Sequence, residues 1–289
     1  MFSSLLTEIE KVAQKDFISA TKDLVSYIDN VDGFNDILEQ IGTISESIDH
    51  DSTEEKLFAK ASDAVLARAF REVGLKATVL TERGDAADVQ AESPIYGYTL
   101  VADAKAFRMS RTAKNQKDFK VTALSGWRKD ADYAVLCSPY FQYPKSQSQI
   151  YAQSIDHDVC LLSWEHLIFI VNNGLKESIT LNLSPLWNFA KDYSHKVVAA
   201  NRKRCFLDKF NELMFATIGR KETEFGKLLD VQIGKLKKRG SNEISYWNNE
   251  RNNLRSLSRD EAIKELIKSK KIDEKIAQIE QFIRGLSCD

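Results

Sequence analysis

The hydrophobic pattern of the chain changes period at Gly74. Before it, apolar residues recur every three to four positions, the signature of helices with one buried face. Leu5, Leu6, Ile9, Val12 and Ala13 fit one stripe, and Phe17, Val25 and Ile28 fit a second. Helix is therefore expected over much of 3–42, punctuated by Asp32-Gly33 and Gly42. A longer helix is expected over 53–73, with Leu57, Ala61, Val65, Ala69 and Phe70 facing inward. Ser52-Thr53-Glu54-Glu55 has the form of a capping box, with Ser52 at the N-cap and Glu55 at N3.

After Gly74 the pattern becomes that of short strands, over 77–81, 87–91 and 98–104. Pro94 and Gly97 sit between the last two and predict a hairpin. An amphipathic helix is expected over 115–129, with Phe119, Leu124 and Trp127 as buried candidates. The apolar runs 133–137 and 159–162 suit strands buried on both faces, and a helix is expected from Ser163. Beyond Pro185 every segment reads as helical: 203–218, 221–238, 241–255 and 258–284. Gly219 and Gly240 mark the breaks, and Ser258-Arg259-Asp260-Glu261 is a second capping box. The expectation is an α/β (α+β) protein with N-terminal helices, a sheet in the middle and a helical C-terminal third. Residues 1–195 would form the core. Residues 196–289 would form a helical region of the same domain.

Composition narrows the class. No apolar run approaches the ~20 residues of a membrane span, and Met1–Leu6 lacks the basic start of a secretory signal. The four cysteines are widely spaced, without a CxxC pair, and predict neither a zinc site nor a disulfide framework. A cytoplasmic location is expected. Net charge is −1, yet it is unevenly spread. Residues 1–102 carry −10, 103–129 carry +6, 130–195 carry −4 and 196–289 carry +7. A polyanion would meet local positive surface despite the neutral total.

The most basic stretch begins where the last predicted hairpin strand ends, at Val101-Ala102-Asp103-Ala104-Lys105. Residues two apart on a strand share a face, so Asp103 and Lys105 project together. Asp88 opens the preceding strand, and the hairpin can bring it alongside. Two carboxylates can hold Mg²⁺, a hard cation that prefers oxygen ligands. The metal would act as Lewis acid and activate a bound water. Lysine adds a compact positive charge for the transition state. Asp88 and Asp103 are the expected ligands, the Ala104 carbonyl a third, and Lys105 the catalytic cation. A D-x-K triplet taken alone is common, and its ordinary role is an ion pair at a strand end. Its strand context and the preceding Asp raise it above that reading. Glu55 is a further candidate acid, with its place in the capping box as the competing and better supported role. Arg108, Ser110, Arg111, Lys114, Asn115 and Lys117 follow directly and supply the side chains that contact phosphates and base edges. His50, His157, His166 and His195 show no ligand spacing. Nucleotide-binding glycine motifs and the G-x-S-x-G elbow are missing.

These residues carry a resemblance. Glu55-Lys56-Leu57-Phe58, Arg83-Gly84, Asp88-Val89 and Leu100 to Lys105 match it, as does the long block Ser110 to Val121. So do Asp132 to Leu136, Phe141-Gln142-Tyr143-Pro144 and Ser163 to Leu167. Across Ser52 to Trp164 the chain resembles the HindIII family of type II restriction endonucleases. The resemblance implies the PD-(D/E)xK fold, a central mixed sheet flanked by helices, with Asp88, Asp103 and Lys105 as the motif residues. The motif proline is replaced by Ala87. It also implies Mg²⁺ dependence and a homodimer that cuts double-stranded DNA at AAGCTT after the first A, leaving 5′ overhangs. A cognate DNA methyltransferase would protect host DNA without forming a stable complex. The alternatives are a repair or recombination nuclease of the same superfamily, and a non-catalytic DNA-binding protein.

Overall fold

The computed structural model describes residues 2–80, 87–111, 116–144, 148–196 and 205–285. The N-terminal periodicity resolves into α1 (Phe2–Val12), α2 (Phe17–Asn30) and α3 (Phe34–Leu38). Asp16 caps α2 by accepting from the Ile18 and Ser19 amides, and Gly33 takes the left-handed conformation that starts α3. A two-residue strand, β1 (Thr43–Ile44), leads to α4 (Thr53–Glu72), close to the expected limits. Ser52 caps α4 by accepting from the Glu55 amide. The return half of the expected box is absent, because the Glu55 carboxylate accepts from the Asp51 amide instead.

The sheet strands are β2 (Lys76–Val79), β3 (Val89–Glu92) and β4 (Thr99–Ala104), with a short β5 (Phe107–Arg108) after them. The expected helix over 115–129 is broken into α5 (Gln116–Phe119) and α6 (Val121–Trp127) by Lys120, whose φ is +50°. Then come β6 (Tyr133–Ser138), α7 (Gln149–Asp156), β7 (Val159–Ser163) and α8 (Trp164–Asn172). The order in the sheet is β2-β3-β4-β6-β7. The first three strands pair antiparallel and the last three parallel, giving a mixed sheet. The pattern of burial follows the pairing. β3 alternates buried and exposed, whereas β6 and β7 are buried almost throughout, as parallel strands covered on both faces must be. Parallel pairing requires crossovers, which α5–α6 and α7 provide. β1 pairs parallel with β5 in a separate two-stranded ribbon.

The β3–β4 hairpin is anchored at its turn. Gly97, at φ +72°, closes the turn by donating to the Ser93 carbonyl. The buried Glu177 carboxylate accepts from Ser93 Oγ at 2.5 Å, Tyr98 OH at 2.7 Å and the Leu183 amide at 3.1 Å. α4 lies against β2, β3 and β4, and α6 against β4, β6 and β7.

The C-terminal helices are α9 (Ser184–Trp187), α10 (Phe189–Lys196), α11 (Phe206–Ile218), α12 (Glu222–Ser256), α13 (Arg259–Ser269) and α14 (Ile272–Gly285). Two sequence expectations change here. Gly240 does not break the chain, and α12 runs through it for 35 residues. An isolated glycine costs a helix only ~1 kcal/mol, which flanking turns can offset. The expected helix over 258–284 is instead split at Lys271, whose φ is +49°. The chain forms two compact units, Met1–Leu236 and Lys237–Asp289. No described helix is long and apolar enough to cross a membrane.

Two buried titratable groups sit side by side at the start of α8. His166 completes a capping box in place of the usual Glu: its Nδ1 accepts from the Ser163 amide while Ser163 Oγ accepts from its own amide. Burial lowers the imidazole to about 4. Glu165 accepts from the Tyr140 amide at 2.7 Å, and burial raises its carboxyl to about 7. The two act in opposite directions. A neutral His166 stabilises the fold above the ordinary histidine range, and this is lost as pH falls from 6.5 toward 4. Glu165 favours the protonated form in the fold, so its stabilisation is present at low pH and is lost as pH rises from 4.5 through 7. Glu165→Gln keeps an acceptor for Tyr140 and removes the carboxylate. Its stability relative to the parent is expected to rise between pH 5 and 8, by up to about 3 kcal/mol. Thermal melts of both proteins across that range test this, and a pH-independent difference would refute it.

Candidate active site

The hairpin register sets the first two acids. Val89 pairs with Ala102, so one step outward places Asp88 across from Asp103. Asp103 is buried near the end of β4, and Lys105 is the first residue beyond that strand. As the strand period requires, the two point to one side, and Lys105 Nζ lies 2.5 Å from Asp103 Oδ2.

A third acid comes from α4, which sequence reasoning missed. Carboxylate oxygens of Asp63, Asp88 and Asp103 all lie within 4.8 Å of one another. Asp63 is 3% exposed and Asp103 2%, whereas the Asp88 side chain is one-third exposed and marks the open side. Lys60, one helical turn before Asp63, donates to Asp63 Oδ2 at 3.3 Å and also to Asp88. Two lysines therefore serve three carboxylates.

The electrostatics follow from burial. Desolvation pushes the Asp63 carboxyl well above its ordinary range, and the charges on Asp88 and Asp103 push it further, against Lys60 and Lys105. Burial also raises Asp103, with Lys105 opposing. Burial pulls the Lys60 ammonium down, but Asp63 and Asp88 outweigh it and leave it raised. A group of hard oxygen donors whose negative charge is under-compensated suits a divalent cation. The donor set fits Mg²⁺ better than a thiolate- or imidazole-seeking metal.

Glu55 lies elsewhere. It is eight residues from Asp63 on α4, about 12 Å along the axis. Its Oε1 accepts from Arg108 at 2.8 and 3.2 Å, and its Oε2 from the Asp51 amide and His50 Nδ1. Burial raises the Glu55 carboxyl, but the Arg108, Asp51 and His50 hydrogen bonds together bring it below its usual value. Arg108 further donates to the Ser45 carbonyl. Ser110 donates through its amide and hydroxyl to the buried Glu46 carboxylate, at 3.0 and 2.9 Å. Arg111 pairs with Asp118 and stacks near the Phe107 ring. Lys117 is on α5. Lys114 and Asn115 lie outside the described residues, and Ala104 ends β4 beside the acids.

Two buried acids and a third at the open side, delivered by a mixed sheet and its covering helix, thus converge with a lysine two residues after one of them. The model of the HindIII restriction endonuclease family matches residues 7–283. Type II restriction enzyme HindIII of Haemophilus influenzae is 42% identical over 288 residues, 99% of this chain and 96% of that protein. The chain belongs to the HindIII restriction endonuclease family and is an enzyme, a site-specific deoxyribonuclease. Two solved structures of the restriction endonuclease FokI, one bound to DNA, align at 14% identity with TM-scores of 0.35 and 0.34. These alignments cover 59% and 56% of this chain and about a third of FokI.

The geometry separates Asp63 from Glu55 experimentally. Asp63→Asn removes a buried carboxylate and is expected to raise the melting temperature of the metal-free protein. It should also abolish the further rise that saturating Mg²⁺ gives the parent through binding to the folded state. Glu55→Gln should lower the metal-free melting temperature by loosening Arg108 and leave the Mg²⁺ response intact. Thermal melts with and without Mg²⁺ decide, and the reverse pattern would move the metal site to Glu55.

Proposed function

We propose that this chain cuts double-stranded DNA at the palindrome AAGCTT, after the first A, by Mg²⁺-assisted hydrolysis. The observation that carries the reading is the convergence of Asp63, Asp88 and Asp103 beside Lys105. Family membership over nearly the whole chain supports the target, together with the match of 110–121 noted in the sequence.

In this reading Asp63, Asp88 and Asp103 hold the metal, with the Ala104 carbonyl beside them. When bound, Mg²⁺ supplies Lewis acidity and a more acidic water. The protein does the rest. Lys105, held against Asp103, orients the attacking water and stabilises charge on the phosphorane-like transition state. The open side at Asp88 admits the phosphodiester. Cleavage leaves a 5′-phosphate and a 3′-hydroxyl. Arg111, Lys114, Asn115 and Lys117 contact DNA, with Arg108 and Ser110 at the base of that segment. Glu55 supports the site through Arg108 rather than through the metal.

A palindromic target matches a twofold protein, so the active species is a homodimer in which each subunit cuts one strand. The core of 1–195 carries the chemistry, and the helical region 196–289 serves dimerisation or DNA binding. The setting is the cytoplasm, where a cognate methyltransferase protects host DNA without a stable complex.

Incubated with plasmid and Mg²⁺, the purified protein should give discrete fragments with AAGCTT at every junction. A smear or junctions of another sequence would sink the specificity. Asp103→Asn and Lys105→Ala should each slow cleavage at least ~10²-fold while binding the site nearly as tightly. Equal loss of binding and cleavage would make these residues structural.

A further inference from the structure

We propose that Trp164 is a positioning residue for catalysis, fixing the main chain of Lys105 through its indole N–H from a seat that only glycine at position 42 allows. The inference rests on Lys105 being the catalytic cation.

Lys105 lies just past the end of β4, where a chain leaving a sheet usually frays. Here it is held from both sides. Its amide donates to the Cys137 carbonyl at 2.7 Å, prolonging the β4–β6 pairing by one residue. Its carbonyl accepts from Trp164 Nε1 at 2.9 Å. Trp164 is buried, opens α8 and directly follows β7, the neighbour of β6. The ring is thus carried from the end of β7, a buried strand at the edge of the sheet, and reaches Lys105 just past β4, two strands away.

Gly42 sets where the ring can lie. A Cβ there would stand 2.7 Å from Trp164 Cδ1 and 2.9 Å from Pro139 Cγ, closer than real Cβ atoms approach. The Gly42 carbonyl also accepts from the Phe107 amide at 3.1 Å. Lys105 and Phe107 are therefore clamped by two residues that touch each other. A buried indole N–H needs an acceptor, so a packing role alone would be satisfied by any carbonyl. This one belongs to the residue whose side chain must meet the reacting phosphate. A displacement of about 1 Å in such a group costs ~10²-fold in rate.

Two variants disturb the contact from opposite ends. Trp164→Phe keeps a buried aromatic ring and drops the donor. Gly42→Ala keeps the donor and pushes the ring off its seat. Single-turnover cleavage with Mg²⁺ gives a rate constant and an amplitude, and binding of the same DNA with Ca²⁺ gives affinity. Each protein is assayed below its own melting transition, with Lys105→Ala alongside. The expected result is a rate constant lowered ~10- to 100-fold in both variants, with amplitude and affinity within about twofold of the parent. A lowered amplitude at an unchanged rate constant would mean a misfolded fraction and a purely structural tryptophan, and would overturn the proposal. So would parental rate constants in both variants while Lys105→Ala is inactive. Cleavage by Lys105→Ala at the parental rate would overturn the assignment of Lys105 itself, and the inference with it.

Discussion

Two lysines hold together three carboxylates that would otherwise drive one another apart. Asp63, Asp88 and Asp103 come within 4.8 Å, and two of them are almost wholly removed from water. Burial disfavours each charge, and each neighbour disfavours it again. Lys60 bridges Asp63 and Asp88, and Lys105 pairs with Asp103. Much of the surrounding structure serves to bring these groups together. α4 must dock on β2–β4 to bring Asp63 in, the hairpin register must set Asp88 opposite Asp103, and Glu177 must close the far end of that hairpin. An uncompensated buried charge is expensive, so this cluster weakens the metal-free fold. A site kept for function and paid for in stability is the expected pattern in enzymes.

Three of the five groups in this cluster were legible in the sequence, and the reason is geometric. A strand of period two tells which residues share a face, and a hairpin signal at Pro94 and Gly97 tells which strands adjoin. Asp88, Asp103 and Lys105 follow from those two rules. Asp63 does not. The stripe Leu57, Ala61, Val65, Ala69 and Phe70 correctly identifies an inner face of α4, but Phe58, Ser62, Ala64, Leu66 and Ala67 are buried too. On a helix covered nearly all round, one acid among apolar residues was a usable signal, since a buried carboxylate without a partner is rarely tolerated. The stripe pattern hides it by suggesting a solvent-facing side. Glu55, the α4 acid considered in its place, does sit at N3, where its capping motif gave it a competing role. The C-terminal helices show the same limit. A glycine such as Gly240 permits a break without requiring one, and the break that does occur falls at Lys271, a residue with no turn preference.

The basic flank has more internal order than its charge suggested. Arg108 is engaged by Glu55 and the Ser45 carbonyl, and Ser110 by the buried Glu46. In these contacts the cation and hydroxyl serve the protein. Their partners lie on the loop between β1 and α4 and at the start of α4, the helix that carries Asp63. Glu55 is thus tied to the site through the backbone of α4 on one side and Arg108 on the other. A carboxylate can matter to a metal site without touching the metal, by fixing the element that presents the ligand.

From Lys105 to Ser110 the chain is fastened at nearly every other residue. Cys137 and Trp164 hold Lys105, Gly42 holds Phe107, Glu55 and Ser45 hold Arg108, and Glu46 holds Ser110. The β1–β5 ribbon runs through the middle of this stretch. On the proposed reading, base-contacting residues begin at its far end and the catalytic lysine stands at its near end. A flexible connection would let DNA bind in register without placing a phosphate at Asp88. A ribbon fastened this often leaves little slack, so a sequence match that seats the segment after Ser110 also sets the distance to Lys105. On that reading, backbone hydrogen bonds and ion pairs within the chain couple specific binding to chemistry.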